Sequence, residues 1–195
     1  MTKLSLLVCV AAMVLGPAAI EAAESPTASH VHSFDLQRSK MTVYVGKEGV
    51  FAFAADVHQV DVPIASGSYD DAAKSVELTV ESKRLQVLDP PARRGKVEAN
   101  MLGPQVLDAE RYPTIAFRST NIEAGASDRW TVAGDLTLHG QTRPVTLQVS
   151  KIDATHFRGT TTLAQSAFGI TPLRIAGGIV RVKDDVRIEF EIVLQ

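Results

Sequence analysis

The chain has 195 residues, of which 45% are hydrophobic and 22% charged, and its formal net charge is −2. This balance excludes a generally basic protein that binds nucleic acid or anionic membranes, because affinity for phosphates needs clustered Lys and Arg. The largest basic cluster, Arg93, Arg94 and Lys96, is small and is flanked by Asp89 and Glu98. The length predicts one domain that buries enough surface to fold without disulfides.

The N-terminal residues have the pattern of a secretory signal peptide. A single positive charge at Lys3 precedes an apolar run over 4–15, which is too short to span a bilayer as a helix. A Gly-Pro pair ends the run, and small residues follow, as in a cleavage region. We therefore expect residues 1–22 to be a signal peptide and the mature protein to be periplasmic or secreted. A lipoprotein anchored at Cys9 and an uncleaved membrane helix are the less favoured alternatives.

The only cysteine of the chain, Cys9, lies in this signal segment. The mature protein is therefore expected to lack disulfides, a thiolate nucleophile and Cys metal sites. Residues 23–33 are rich in Ala, Ser, Thr and Pro, which predicts a flexible leader. No linker, repeat or second long apolar run interrupts the rest, so we predict one soluble domain over 34–195.

Alternation of apolar and polar residues dominates this domain and predicts a series of β-strands. The clearest predicted strands cover 75–81, 114–120, 130–138, 145–150 and 186–192. Further strands are predicted near 40–46, 58–69 and 157–165. Each has one apolar and one polar face, which is typical of antiparallel sheets with one solvated side.

Two stretches depart from the alternation. The segment 49–55 is small and aromatic and predicts one or two helical turns. The segment 93–107, with Val97 and Met101 four residues apart, predicts a short helix before Pro104. About eight strands with one apolar face must hide that face, either as two packed sheets or by closing into a barrel. The interior of an eight-stranded barrel is filled by side chains or holds one small ligand.

No catalytic signature is visible in the chain. The motifs of serine hydrolases, zinc peptidases and nucleotide-binding loops are absent, and the five histidines form no tight group with carboxylates. His58, close to Asp56, is interpreted either as a head-group ligand or, preferably, as a structural hydrogen-bonding residue. His139 lies in a Leu-His-Gly-Gln turn and is predicted to be a hairpin residue. We therefore expect no enzyme, no metal and no cofactor.

The apolar strand faces either pack as an ordinary core or line a cavity, and periodicity does not separate the two. If a cavity exists, the residues expected to line it are Phe51, Phe53, Met101, Leu102, Ile115, Phe117, Trp130, Val132, Leu136, Leu147, Phe168 and Phe190. The candidates for contacts with a polar head group are His58, Arg93 and Arg94, the two arginines because of their charge.

Three segments, in this order, resemble the YceI-like family of exported lipid-binding proteins. The first is 107–120, with the sequence LDAERYPTIAFRST, and the second is 134–145, with GDLTLHGQTRPV. The third is the end of the chain, with Phe168-Gly169-Ile170, a Gly-Gly pair and the strand over 185–190. The second segment is the most specific, and the resemblance covers 34–195.

The resemblance implies an extended, lipocalin-like antiparallel β-barrel whose tunnel holds a polyisoprenoid chain or a similar apolar lipid. The family often has two histidines near 54–58, where this chain has only His58, and an Arg-Asp pair where it has Arg93-Arg94. The identity of the ligand's head group is therefore not inferred from the resemblance. There are two alternatives. One is a filled barrel that acts in partner binding or in an envelope stress response, and the other is an enzyme that uses His58 or His139. The oligomeric state, a homodimer included, stays open.

Overall fold

The computed structural model describes residues 30–49, 58–175 and 180–195. The predicted signal peptide, most of the predicted leader and the predicted cavity residues Phe51 and Phe53 lie outside the described residues. The described part of the chain contains no helix with the length and apolar character needed to cross a membrane.

Twelve strands and one α-helix form the described part of the chain. The strands are β1 (Val31–Ser33), β2 (Lys40–Gly49), β3 (His58–Asp61), β4 (Ile64–Asp70), β5 (Ser75–Glu81), β6 (Gln86–Val87), β7 (Thr114–Ala124), β8 (Arg129–Leu138), β9 (Gln141–Lys151), β10 (His156–Ala164), β11 (Arg174–Ile175) and β12 (Val180–Val193). Helix α1 covers Pro91–Leu102, and two short 3₁₀ helices cover Ser82–Arg84 and Gln165–Phe168. Eight of these strands have seven or more residues.

All twelve strands belong to one sheet, in the order β1-β4-β5-β7-β8-β9-β10-β12-β2-β3-β6, with β11 paired to β12. The sheet curls until the segment after β1 meets the end of β12. There the Asp35 amide donates to the Val193 carbonyl (2.7 Å), and the Gln195 amide donates to the Ser33 carbonyl (2.9 Å). The interior is thus enclosed by one curled sheet, which confirms the predicted antiparallel barrel over the alternative of two packed sheets.

Two strands differ from their predicted extent. The predicted strand over 58–69 is divided into β3 and β4 at Pro63, which has no amide hydrogen for the ladder. Strand β1 lies inside the predicted flexible leader, where it pairs with β4 and the His32 ring stacks on Tyr69. Its three residues are all exposed, so no alternation of apolar and polar residues marks it.

Helix α1 begins at Pro91, because a proline at the first helical position has the required φ and no amide that needs a partner. It ends at Leu102, before Gly103-Pro104, in agreement with the predicted short helix before Pro104. Three of its apolar side chains pack on the core cluster around Val60, Val80 and Val87, namely Val97, Met101 and Leu102. The helix is therefore attached to the barrel through one face.

The β8–β9 hairpin explains the most specific segment of the family resemblance. His139 and Gly140 both have positive φ (50° and 71°), as a two-residue type I′ turn requires. The His139 ring lies edge-on to Tyr112, and its Nδ1 is 3.1 Å from the Phe168 carbonyl oxygen. The Arg143 Nε donates a hydrogen bond to the carbonyl oxygen of Ala167, the residue before Phe168 (3.2 Å). This hairpin therefore holds the 3₁₀ helix after β10 and the loop before β7.

Candidate functional site

The inward faces of the strands surround a cavity of about 320 Å3. This volume is at the lower end of the range of small-molecule sites. The wall is made almost entirely of Val, Leu, Ile, Met and Phe side chains. Its polar members among the described residues are His58, Asn100, Thr161, Gln165 and Thr171. Such a wall suits an apolar ligand that needs few directed contacts.

The alternation of the strands places these side chains. Because successive side chains of a strand point to opposite faces, every second residue reaches the interior. In β2 these are Met41, Val43 and Val45, in β5 they are Val76, Leu78 and Val80, and in β12 they are Val186, Ile188, Phe190 and Ile192. The cavity is thus a direct product of the pattern read in the sequence.

Three phenylalanine rings of the wall lie against glycines of neighbouring strands: Phe34 against Gly67, Phe117 against Gly134 and Phe190 against Gly159. A Cβ at Gly159 would be 2.2 Å from the Phe190 ring, closer than real Cβ contacts come. The absent side chains let the rings lie flat on the sheet. The aromatic rings therefore contribute apolar surface and leave the interior open.

The cavity does not reach the far end of the barrel. On β7 to β10 the cavity lining ends at Phe117, Leu136, Leu147 and Thr161. Beyond it the Trp130 and Phe157 rings pack edge to face, with centroids 6.0 Å apart. The cavity accordingly occupies the part of the barrel next to α1, whose Val97, Asn100 and Met101 belong to its wall.

The structure brings together half of the residues predicted to line a cavity: Met101, Ile115, Phe117, Leu136, Leu147 and Phe190. Four others lie elsewhere. Leu102 packs in the cluster under α1, and Phe168 is buried in the cluster around Leu163. Val132 and Trp130 follow the same alternation but lie past the end of the cavity. Whether any of these residues binds a ligand stays a prediction.

The predicted head-group candidates separate in space. His58 belongs to the cavity wall. Arg93 and Arg94 are exposed on the first turn of α1 and are not part of the wall. The Arg94 Nε donates to the carbonyl oxygen of Asp89 (3.2 Å). The role of the two arginines at a head group stays a prediction.

His58 has a partner that sequence reasoning missed. Its Nδ1 lies 2.7 Å from Oδ2 of Asp89, whose side chain is only 6% exposed. The two atoms are in close contact without hydrogen-bond alignment. Asp56, considered as the partner from its nearness in sequence, lies outside the described residues. Only the fold, which pairs β3 with β6, brings residue 58 beside residue 89.

The sequence reasoning also missed most of the wall that β2, β5 and β12 supply. The sequence signal is present, since Met41, Val43 and Val45 alternate with polar residues as the inward positions of the other strands do. The cavity is lined mainly by Val, Leu and Ile, whose alternation marks an inward face but does not mark a cavity. Asp89 carried no signal beyond its position before Pro90-Pro91.

One short 3₁₀ helix at the wall is fixed by a charged side chain. The Ser166 amide and hydroxyl donate to the two oxygens of Asp184 (2.8 and 2.5 Å), and the Gln165 side chain donates to the Lys183 carbonyl (2.8 Å). The hydrogen bonds from Ser166 hold the pKa of Asp184 below its usual value of 3.8.

Among the described residues no group of His, Asp or Glu could hold a metal ion.

An antiparallel barrel with an apolar internal cavity defines a class of proteins that enclose small apolar molecules. The family model for the YceI-like domain matches residues 25–194. The chain therefore belongs to the YceI-like family, as the three sequence segments indicated.

The chain is similar to curated proteins of the same kind. A UPF0312 protein of Vibrio cholerae is 32% identical over 115 residues, which cover 53% of this chain and 58% of that protein. The match therefore spans less than two thirds of that relative. A UPF0312 protein of Pseudomonas syringae pv. tomato is 27% identical over 180 residues, 82% of this chain and 85% of the relative.

Two solved structures share the fold. The chain superposes on BcnA of Burkholderia cenocepacia with a TM-score of 0.61 and 22% identity, covering 83% of this chain and 99% of the other. It superposes on a polyisoprenoid binding domain from Saccharophagus degradans with a TM-score of 0.58 and 12% identity, covering 84% and 97%. At these identities the likeness concerns the fold alone.

Proposed function

We propose that this protein is a carrier that holds the apolar chain of an isoprenoid-type lipid inside its barrel. The observation that carries the proposal is the open apolar cavity of about 320 Å3. Side chains that filled the barrel would favour the alternative of a purely structural or partner-binding role, but here the inward Val, Leu and Ile side chains leave the space unfilled. The polyisoprenoid-binding structure with the same fold supports an isoprenoid as the ligand class.

Physical chemistry favours an apolar chain in this cavity. Each Å2 of apolar surface removed from water contributes about 25 cal/mol, so a chain enclosed on all sides binds without many polar contacts. A charged ligand would lose its hydration in a wall with few partners. We also propose that the carrier is exported, on the basis of the predicted signal peptide over 1–22. The mass of the protein purified from its host shows whether residues 1–22 have been removed. A mass that still includes them would contradict cleavage of the predicted signal peptide.

The cavity is tested with a substitution that fills it. Val145, in the wall on β9, is replaced in Val145→Phe, and Ile152, which is 46% exposed after β9, is replaced in the control Ile152→Phe. Both variants make a similar change of side chain, but only the first adds volume to the cavity. Uptake of farnesol, measured by displacement of the apolar dye Nile red, should fall about tenfold or more in Val145→Phe and stay unchanged in Ile152→Phe.

Native mass spectrometry of the gently purified protein gives the second measurement. The carrier proposal expects a co-purified lipid that is lost in Val145→Phe. An empty wild-type protein that also fails to take up farnesol would contradict the proposal. Equal uptake by wild type and a folded Val145→Phe would show that the ligand binds outside this cavity.

A further inference from the structure

One polar group in the cavity wall differs from the others. Thr161 Oγ1 and Gln165 Nε2 each donate to a main-chain carbonyl (both 2.8 Å), and Asn100 and Thr171 are exposed to solvent. His58 is 13% exposed, and no described residue makes a hydrogen bond to its Nε2. This nitrogen is therefore available to a molecule in the cavity, whereas the Thr161 hydroxyl and the Gln165 amide are each held by a main-chain carbonyl.

Asp89 decides what kind of hydrogen bond that nitrogen makes. Its carboxylate lies two residues before the start of α1, where the helix N-terminus favours a negative charge. At 2.7 Å from this carboxylate, Nδ1 of His58 must carry the proton, because two lone pairs at that distance would repel. In the neutral ring with Nδ1 protonated, Nε2 has a lone pair and is an acceptor.

We infer that His58 Nε2 accepts a hydrogen bond from a terminal hydroxyl of the bound ligand, so that the cavity selects a long-chain alcohol over an ether or hydrocarbon of the same shape. The inference rests on the proposed function and names the ligand's polar end. The selection is physical: a ligand without a donor leaves Nε2 without a partner in an apolar wall, which costs binding free energy.

The test compares farnesol with its methyl ether, which has the same chain and oxygen but no hydrogen to donate. Binding is measured by displacement of Nile red from the full-length mature protein. We expect farnesol to bind wild type about five to ten times more tightly than the ether, the difference that one hydrogen bond typically makes. The wild-type comparison needs no variant, so it does not depend on the folding of any substitution.

Three variants locate the preference. His58→Phe removes the acceptor and should abolish the difference between the two probes. Asp89→Leu removes the carboxylate that holds the proton on Nδ1, so the proton can move to Nε2, and the preference for farnesol over the ether should decrease. Gln59→Leu, at the exposed neighbour of His58 on β3 and outside the cavity wall, should leave the preference as in wild type.

The outcomes separate this inference from the function on which it rests. Equal affinity of both probes for wild type, or a preference that persists in His58→Phe, would overturn the hydroxyl acceptor while leaving the carrier intact. If neither probe bound wild type, the carrier itself would be contradicted, and the inference with it.

Discussion

At the scale of single residues, Phe190 and Gly159 are direct partners across β12 and β10. The ring of Phe190 occupies the space in which any other residue at position 159 would place its Cβ, 2.2 Å from the ring. The Gln148 carbonyl oxygen, 2.9 Å from the same position, closes the other side. Glycine at this position is therefore a requirement of packing, and it determines the direction of an aromatic side chain in the cavity wall.

Gly159→Ala should therefore destabilise the fold. The added methyl group must push the Phe190 ring away, and such overpacking costs about 1–3 kcal/mol. Gly95→Ala is the matched control, because a Cβ at this position of α1 meets nothing within 4 Å. Alanine in a helix is more stable than glycine by about 0.5–1 kcal/mol, so the control should be slightly stabilised. Urea unfolding measures both, and equal midpoints for the two variants would contradict the packing argument.

At the scale of secondary structure elements, β12 departs from regular pairing with β2 between Val182 and Val186. Asp184 lies in this irregular stretch and accepts two hydrogen bonds from Ser166 on the adjacent 3₁₀ helix. The bulge thus presents a carboxylate to a helix that has no side-chain cap of its own. This contact fixes the 3₁₀ helix, which carries the wall residue Gln165, to β12, which carries the wall residue Val186.

The contact predicts a dependence of stability on pH. The pKa of Asp184 is lower in the folded protein than its ordinary value of 3.8, because the Ser166 hydroxyl and amide donate to the ionised carboxyl. A lowered folded pKa stabilises the fold above the unfolded pKa, and the effect is lost as the pH falls through the folded pKa. Asp184→Asn should therefore be less stable than wild type at pH 7.

Urea unfolding of both proteins from pH 7 down to about pH 2 checks this prediction, since acid protonates the carboxylate and removes its advantage. The difference between wild type and Asp184→Asn should shrink below about pH 4, near the ordinary pKa of Asp. The control is Asp135→Asn, at an exposed residue whose side chain makes no hydrogen bond to another described residue. A difference that stayed constant down to the lowest pH would contradict the role of the charge.

At the scale of the whole molecule, the barrel closes where the segment after β1 meets the end of β12. Phe34, which is 4% exposed, packs with Ile64 and Ile192 and also faces the cavity. The backbone on either side of it bonds to the end of β12, and the Ser39 hydroxyl accepts a hydrogen bond from the Val193 amide (3.0 Å). The integrity of the cavity therefore depends on residues at opposite ends of the domain.

Phe34→Ala should destabilise the whole barrel, because removing a buried aromatic side chain costs about 3–5 kcal/mol. Leu36→Ala is the control, since Leu36 is two residues away and 43% exposed, and surface changes stay within about 0.5 kcal/mol. Thermal unfolding gives the comparison. If Phe34→Ala unfolded at the temperature of Leu36→Ala, the closing contact would have no importance for stability.

Much of the fold was predictable because its strands have one wet and one dry face. Residues such as Val76, Leu78 and Val80 alternate with polar neighbours, so the strand and its inward side follow from local sequence. Strand β1 was not predictable, since its exposed residues are ordered only by the edge of β4. The division at Pro63 was predictable in principle, because proline cannot donate to a ladder.

The candidate site was predictable only in part. The inward positions of β7, β8 and β12 follow from the alternation, but the end of the cavity does not. Trp130 and Leu136 have the same phase along β8, yet only Leu136 reaches the cavity, because the Trp130 ring packs on Phe157 from another strand. The contact of His58 with Asp89 likewise joins residues that are far apart in the chain.

The amino-acid sequence by itself determined the single cysteine, the near-neutral charge, the antiparallel strands and the apolar inner face, since each depends on composition or on a period of two residues. Only the tertiary structure decided that the inner face surrounds an open volume, where that volume ends, and that a carboxylate stands behind its histidine. The physical reason is that a cavity and a buried contact between a histidine and a carboxylate depend on the distances between side chains from separate segments, and alternation along one strand does not specify those distances.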